Sequence, residues 1–292
     1  MNTTKADSAL TFARSLKLTV LGVMAALLFL LAADDGEVRV ITSGAFTATY
    51  LELVPQFERA TGDKVVTAFG ASMGNTPDSI PNRLKRGEPV DVVIMAAPAL
   101  DELIKQGKIE AGSRRDLVRS SIGMVVRAGA PKPDISSVEA LKRTLLAATS
   151  IAYSDSASGV YISTQMFQRL GIANQIISKC KKIEGERVAA VVARGDAQIG
   201  FQQISELLPV PGIDFVGPLP PELQKITVFS AGVASGAPHP GAARALIEFL
   251  ASPTAAPAIK KNGLDPVMPD ESDTHTKNND SSVRQRSVYL WA

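Results

Sequence analysis

The stretch Val38-Arg39-Val40-Ile41-Thr42-Ser43-Gly44-Ala45-Phe46-Thr47 decides the fold of this chain. It begins as a predicted β-strand, with apolar residues such as Val38 and Val40 at alternate positions. It ends in the small polar turn Thr42-Ser43-Gly44, and a helical spacing of apolar residues follows over 50–57. The first N–H groups of a helix have no acceptor within the helix, and the helix dipole favours negative charge there. The turn is therefore either a plain helix cap or part of an anion-binding site.

Two more junctions of this kind occur further along the chain. A predicted strand over 64–69 runs into Gly70-Ala71-Ser72-Met73-Gly74-Asn75, and one over 150–153 runs into Ser154-Asp155-Ser156-Ala157-Ser158-Gly159. In an open α/β sheet such turns lie at the carboxyl ends of the strands, where ligands bind. We therefore expect three turns rich in N–H and O–H donors to converge on one small anionic ligand.

The rest of the chain alternates predicted strands and helices, which indicates mostly parallel sheets with helices on both faces. The extended segments 120–127 and 226–233 are placed to carry the chain into a second unit and back. We therefore expect an α/β fold of two doubly wound domains joined by crossing strands, with a ligand cleft between them. Domain 1 is predicted over 34–122 plus 232–268, and domain 2 over 123–231.

The two ends of the chain differ from the body. Residues 1–17 carry scattered positive charge and 18–33 are uncharged and apolar, which is the pattern of a secretory signal. We predict a signal peptide over 1–33, with an uncleaved membrane anchor as the alternative; in both cases the body lies outside the membrane. The polar, aperiodic segment 269–292 is predicted to be a disordered tail.

Composition excludes several classes of function. The net charge is +2 and no cluster of Lys and Arg stands out, which argues against nucleic-acid binding. Cys180 is the only cysteine and there are only two histidines, so we expect neither a metal site nor a cofactor. Asp155 is a candidate general base, although a carboxylate just before a helix is more often a cap. The sequence alone assigns no residue as catalytic.

Several motifs resemble those of type II periplasmic substrate-binding proteins, in particular the molybdate-binding branch of the ABC importers. They cover nearly all of the expected mature chain. The matching segments are Ile41-Thr42-Ser43-Gly44-Ala45-Phe46-Thr47, Pro55-Gln56-Phe57-Glu58, Pro89-Val90-Asp91-Val92-Val93-Ile94, Gly195-Asp196-Ala197-Gln198-Ile199-Gly200 and Ala245-Leu246-Ile247-Glu248-Phe249-Leu250-Ala251-Ser252-Pro253.

The resemblance also implies positions for ligand contacts. A ligand serine of the molybdate binders falls at Ala45, which has no hydroxyl, and a second one falls at or beside Ser72. A tyrosine of that branch falls at Gln202 or Gln203. Amide and N–H donors suit a carboxylate as well as an oxyanion. The ligand-binding residues expected on this basis, together with the three turns, are Thr42, Ser43, Gly44, Thr47, Ser72, Met73, Ser156, Ser158, Gly159, Gln202 and Gln203.

The resemblance implies a periplasmic, monomeric protein that closes on a small anion and delivers it to the membrane permease of an ABC importer. A subgroup of the branch resembles aconitate isomerase, an exported enzyme of the same fold that shifts a proton on an unsaturated tricarboxylate. The alternative function is therefore catalysis of that isomerisation by a carboxylate or tyrosine in the cleft. A solute-binding sensor component is a third interpretation.

Overall fold

The structure is a computed structural model that describes residues 37–267, so the predicted signal peptide and the whole of the predicted tail lie outside the described residues. Its strands are β1 Glu37–Thr42, β2 Lys64–Phe69, β3 Val92–Ala96, β4 Arg115–Ser120, β5 Ile122–Arg127, β6 Ile151–Ser154, β7 Cys180–Ile183, β8 Ile199–Gln203, β9 Ile213–Pro218, β10 Thr227–Val233 and β11 Asp265–Pro266. Within this part of the chain, no helix has the length and apolar character needed to cross a membrane.

The helices alternate with these strands. They are α1 Gly44–Thr61, α2 Ile80–Lys85, α3 Ala97–Lys105, α4 Val138–Ala147, α5 Ala157–Tyr161, α6 Phe167–Arg169, α7 Ala173–Ile176, α8 Val188–Arg194, α9 Ile204–Leu207, α10 Pro240–Leu250 and α11 Ala256–Lys261. A π-helical turn, Ile162–Met166, joins α5 to α6. Short 3-10 turns lie at Ile177–Lys179, Pro221–Leu223 and Pro253–Ala255.

The strands form two mixed sheets. The first has the order β11-β4-β10-β3-β1-β2, and the second has the order β7-β6-β8-β5-β9. Each sheet contains parallel pairs, β1 with β2 and β3 in the first and β6 with β7 and β8 in the second. The strands β4, β10, β5 and β9 add antiparallel pairs. The predicted α/β class with two units is confirmed, although the sheets are less uniformly parallel than the alternation indicated.

Each sheet has an apolar core on both faces. In the first sheet, Phe46 and Tyr50 of α1 pack with Leu246 of α10 on one face, while Leu100 of α3 packs with Met95 on the other. Two further cores cover the faces of the second sheet. This arrangement fixes the carboxyl ends of β1, β3, β6 and β8, which carry the candidate site.

The chain crosses between the two sheets twice. The first crossing is the single residue Ser121, and the second is the segment 219–226. The predicted extended segment 120–127 is therefore not one strand, and β4 was missed because its alternation is interrupted by charged residues. The side-chain amide of Gln224 bridges the two crossings, since its Oε1 accepts from Ile122 N at 2.8 Å and its Nε2 donates to Ile122 O at 3.0 Å.

Pro55 lies inside α1, where the sequence predicted a kink or a restart of the helix. The helix instead runs unbroken from Gly44 to Thr61. Proline removes one backbone hydrogen bond of a helix, and burial of the apolar face of α1 offsets that loss.

The carboxylate of Asp91 ties the start of α10 to the first sheet. Asp91 is fully buried, and its two oxygens accept from Arg39 N at 2.8 Å and from His239 N at 2.8 Å. Removing this acceptor would leave two backbone N–H groups without a partner in the interior.

We therefore expect Asp91→Ala to lower the free energy of unfolding by about 2–4 kcal/mol, because unsatisfied buried donors are costly. Urea denaturation measures the change. Glu248→Ala, which removes an exposed carboxylate from α10, is the control and should have little effect. Equal effects of the two substitutions would contradict the role given to Asp91.

Candidate functional site

A cavity of about 510 Å³ lies between the two sheets, at the carboxyl ends of their central strands. The turn after β1 and the loop after β2 form one wall, and the turn after β6 together with the end of β8 forms the other. The three small polar turns singled out in the sequence thus meet at one place. A cleft between two α/β units is a common position for a ligand site.

The structure brings most of the predicted site residues together. Eight of them line the cavity: Ser43, Gly44, Thr47, Ser72, Ser156, Ser158, Gln202 and Gln203. Thr42 is fully buried at the end of β1 and is not among the lining residues. Met73 and Gly159 line a smaller neighbouring cavity of about 210 Å³, which shares Ser154 and Asp155 with the first.

The start of α1 presents hydrogen-bond donors to the cavity. Ser43 precedes the helix in an extended conformation, and its side-chain Oγ has no hydrogen-bond partner among residues 37–267 although Ser43 is only 2% exposed. Thr47 donates its hydroxyl back to Ser43 O at 3.2 Å. The Ser43 hydroxyl and the first N–H groups of α1, at Gly44 and Ala45, therefore remain available to an anion.

Ser72, in the loop after β2, is a second donor. Its Oγ accepts from the backbone N–H of Ala96 at 2.9 Å, which fixes the hydroxyl at the cavity wall. The same oxygen still carries its own hydrogen, since a hydroxyl donates one bond while accepting others. Ser72 can therefore donate that hydrogen to a ligand.

The start of α5 forms the opposite wall. Ser154 and Ser158 share a hydrogen bond between their hydroxyls at 3.2 Å. Gly159 has a packing role, because a Cβ at that position would lie 1.6 Å from Ser154 O. The Oδ2 atom of Asp155 is buried with no partner in the described part of the chain, and burial raises the pKa of this carboxyl.

Two adjacent glutamines end β8 at the floor of the cavity. Gln202 Oε1 accepts from Val188 N at 2.9 Å, and Gln203 Nε2 donates to Thr227 Oγ1 at 3.2 Å. Both side chains are almost completely buried. Gln203 thereby connects the site to β10, the strand that returns the chain to the first sheet.

The most informative residue of the site, Glu206, was missed by the sequence analysis. It lies on α9, and its carboxyl reaches across the cleft to α1. A Cβ built on Gly44 would lie 2.0 Å from Glu206 Oε1, so glycine at position 44 lets this carboxyl lie where it does, and a larger residue would displace it. No motif pointed to Glu206, because it follows the Gln202-Gln203 pair on a short helix and its partner Gly44 is distant in sequence.

The surroundings of Glu206 raise its pKa to about 7. Burial is the largest cause, and the negative charge of Asp155 acts in the same direction. The positive charge of Arg187 and the polar side chain of Gln202 oppose the rise. At neutral pH this carboxyl can therefore both take up and release a proton.

The charges around the cavity are unevenly divided. Arg187 is the only lysine or arginine among the described residues that line it. Four carboxyl groups also line the cavity: Asp78, Asp155, Glu186 and Glu206. No group of three or more His, Cys, Asp or Glu within 37–267 is arranged to hold a metal ion.

We expect the stability of the protein to depend on pH through Glu206. Its pKa in the folded state, about 7, exceeds the ordinary value of 4.5 that the unfolded chain approaches. The folded state thus binds the proton more tightly, and the free energy of unfolding falls as the pH rises from about 4.5 to 7. In Glu206→Gln this loss of stability with rising pH should be absent. The change that the substitution causes in the free energy of unfolding should therefore be about 2–3 kcal/mol more favourable at pH 8 than at pH 4.

Urea denaturation of both proteins at pH 4 and pH 8 measures this difference. Glu139→Gln, at an exposed position on α4, is the matched control and should show the pH dependence of the unsubstituted protein. The same pH dependence in the Glu206→Gln variant would contradict the account of Glu206.

Comparison with known proteins shows the family. A profile of the bacterial extracellular solute-binding proteins matches residues 38–265. Aconitate isomerase from Pseudomonas sp. is 53% identical over 228 residues, which cover 78% of this chain and 87% of that protein. The molybdate-binding protein ModA of Azotobacter vinelandii is 30% identical over 248 residues, 80% of this chain and 91% of that protein.

The solved structures agree on the fold. The periplasmic molybdate-binding protein of Azotobacter vinelandii superimposes with a TM-score of 0.64 at 22% identity, covering 80% of this chain and 100% of that one. The predicted resemblance to type II periplasmic binding proteins is confirmed. This chain belongs to the bacterial extracellular solute-binding protein family.

Proposed function

We propose that this protein is an exported isomerase that interconverts cis- and trans-aconitate. The observation that carries the proposal is the Glu206 carboxyl, which lies in an anion-binding cleft with its pKa raised to about 7. The relative that is 53% identical is named aconitate isomerase, and this identity extends over most of both chains. The function first expected from the motifs, delivery of an anion to a permease, becomes the second candidate.

The donors of the cavity suit a ligand with three carboxylates. One group of donors lies at the start of α1, around Ser43 and Gly44, and a second lies at the start of α5, around Ser156 and Ser158. Arg187 supplies the third group, a cation that could pair with a carboxylate in two hydrogen bonds. A tricarboxylate would engage all three groups, whereas a single small tetrahedral oxyanion would leave part of a 510 Å³ cavity unfilled.

The proposed reaction moves one hydrogen and one double bond. A base removes a proton from the CH2 group of aconitate, and the electron pair of that C–H bond forms a new double bond to the central carbon. The electron pair of the former C=C bond moves to its far carbon, which takes up a proton. The double bond is thereby moved by one carbon, and no oxidant or reductant is needed. Donors that hold the carboxylates stabilise the negative charge that develops during the transfer.

Glu206 is the residue we assign as the base. Its ionised form takes the proton, and its protonated form returns one, which a carboxyl with a pKa near the working pH does efficiently. The position of the carboxyl against Gly44 also places it beside the anion-binding start of α1, where a substrate carboxylate would bind.

The direct test follows cis- and trans-aconitate by proton NMR in the presence of the purified protein. We expect interconversion, and we expect Glu206→Gln to lower kcat by about 10²–10⁴-fold, the usual contribution of a general base. Glu139→Gln is again the control and should retain full activity. The absence of interconversion by the unsubstituted protein, or full activity of Glu206→Gln, would overturn the proposal.

A second substitution tests the room that Gly44 provides. Gly44→Ala places a methyl group where Glu206 Oε1 lies, so the carboxyl must move away from the substrate. We expect kcat/KM to fall by about tenfold or more, since small misplacements of catalytic groups are costly. Gly241→Ala is the matched control, because a Cβ there meets no atom within 4 Å. Equal activities of the two variants would contradict this role of Gly44.

The second candidate function is delivery of a small anion to an ABC-type permease. The 30% identity to a molybdate-binding protein favours it. A thermal-shift panel with molybdate, tungstate, sulfate, citrate and the two aconitates separates the candidates. Stabilisation by molybdate without turnover of aconitate would favour delivery over catalysis.

The cellular setting is part of the proposal. The family and the apolar segment 18–33 support export to the periplasm with removal of a leader over 1–33. We further infer that the protein acts as a monomer, without nucleic acid. We place the division between its domains at the two crossings, because the expected boundary 231/232 would cut β10, which pairs within the first sheet. Closure of the cleft would take place about the two crossings at Ser121 and 219–226.

A further inference from the structure

Side chains of α2 and of Arg86, the residue after it, bind the backbone of the loop 70–79. Three consecutive carbonyl oxygens of this loop each accept a hydrogen bond from one of these side chains. The bonds join Asn82 Nδ2 to Thr76 O at 2.9 Å, Arg86 Nη1 to Pro77 O at 2.6 Å and Arg83 Nε to Asp78 O at 3.2 Å. A fourth carbonyl oxygen, that of Ala71, accepts from Ile80 N at 2.9 Å, at the start of α2. These four carbonyl groups are therefore directed toward α2.

The N–H groups of the same peptide units point the other way. No cis peptide bond occurs in the described part of the chain, and the C=O and N–H of a trans peptide unit point in opposite directions. The Ala71 carbonyl shares its peptide unit with Ser72 N, and the Pro77 carbonyl shares its unit with Asp78 N. Neither of these N–H groups donates to an acceptor among the described residues. Ser72 and Asp78 line the cavity, whereas none of the described residues of α2 does, so both N–H groups are available to an anion there.

We propose that Asn82, Arg83 and Arg86 are positioning residues that bind the carbonyl oxygens of the loop 70–79 from behind and so leave its N–H groups for a carboxylate of the ligand. This inference rests on the proposed function for the identity of that ligand, a tricarboxylate. None of the three side chains is among those that line the cavity, so they act through the loop and not by touching the ligand.

The direction of these peptide units matters because the two ends of a peptide unit carry opposite partial charges. A carbonyl oxygen turned to the cavity would repel a carboxylate, whereas an N–H group donates to it. Each donor from the side of α2 stabilises the orientation in which the N–H groups face the cavity. The hydroxyl of Ser72, fixed by Ala96 N at 2.9 Å, lies on the same wall and adds a further donor.

Arg83 also acts on a charge at the cavity wall. Its Nη1 donates to both carboxylate oxygens of Glu88, at 2.7 and 2.9 Å, which holds the guanidinium in place. Its Nη2 lies 3.4 Å from Asp78 Oδ1. Asp78 is one of the four carboxyl groups that line the cavity, and its pairing with a cation weakens its repulsion of a bound anion.

Two substitutions at Asn82 test the proposal. Asn82→Leu removes the donor to Thr76 O without adding charge, and Asn82→Asp cannot donate in its ionised form and repels that oxygen. We expect both to raise the Kd of propane-1,2,3-tricarboxylate, measured by isothermal titration calorimetry, by about three- to tenfold, the usual effect of one hydrogen bond. In aconitate turnover KM should rise while kcat stays within about twofold, because Glu206 lies on the opposite wall.

The controls separate positioning from folding and from net charge. Asn174→Asp, at an exposed position on α7, adds the same charge as Asn82→Asp and should leave Kd unchanged. Arg86→Met removes the donor to Pro77 O from a half-exposed side chain, which keeps the test open if the Asn82 variants do not fold. Its control is Arg59→Met, at an exposed position on α1. A lowered Tm of the Asn82 and Arg86 variants with an unchanged Kd would overturn the proposal.

The same titrations with molybdate separate this inference from the proposed function. Binding of molybdate alone, weakened in the Asn82 and Arg86 variants, supports the role of these side chains and overturns the tricarboxylate as ligand. Turnover of aconitate with KM and Kd unchanged in these variants overturns the positioning role and leaves the isomerase function standing. If the unsubstituted protein binds neither ligand, both proposals are overturned.

Discussion

The carboxyl group of Glu206 occupies the space that a side chain at position 44 would fill. Through this contact α9, which follows β8 of the second sheet, reaches the start of α1. Glu206 is half-buried at the cavity wall, and the loss of water around its carboxyl is the largest cause that raises its pKa to about 7. The position of this carboxyl thus depends on its close approach to Gly44, and its proton affinity depends on burial and on the charges of Arg187 and Asp155.

The fold makes this contact possible because it places Gly44 and Glu206 on facing sides of the cleft. α1 follows directly from β1 in the first sheet, and α9 follows directly from β8 in the second. The two crossings of the chain are short, and Gln224 joins them through both groups of its amide. A cleft held by such connections can close on a ligand while the walls keep their internal geometry.

Much of the fold and part of the candidate site could be predicted from the sequence, and the features that could not be predicted have physical reasons. The alternation of strands and helices predicted the α/β class, and the small polar turns predicted the anion-binding walls, because both depend on local patterns. β4 was missed because charged residues interrupt its alternation. Met73 and Gly159, predicted for the main site, line the neighbouring cavity instead, since neighbours in a turn can face different sides.

Glu206 could not be found in this way, because its properties arise from contacts between distant parts of the chain. A glutamate in the segment Ile204-Ser205-Glu206-Leu207 resembles any exposed helical residue until Gly44, Asp155 and Arg187 are placed around it. The same holds for the direction of the Gln202 amide, which only the contact with Val188 N–H reveals. The burial of its side chains and the neighbours of each, rather than the residue types, distinguish this cleft from a site that only binds an oxyanion.

The most direct test of this account is a crystal structure of the protein with propane-1,2,3-tricarboxylate, the saturated analogue that cannot isomerise. We expect three carboxylates bound at the start of α1, at the start of α5 and at Arg187. A CH2 carbon of the analogue should lie within about 3.5 Å of a Glu206 carboxyl oxygen, the spacing of a reactive arrangement. An analogue bound outside this cleft, or one whose carbon atoms all lie far from Glu206, would contradict it.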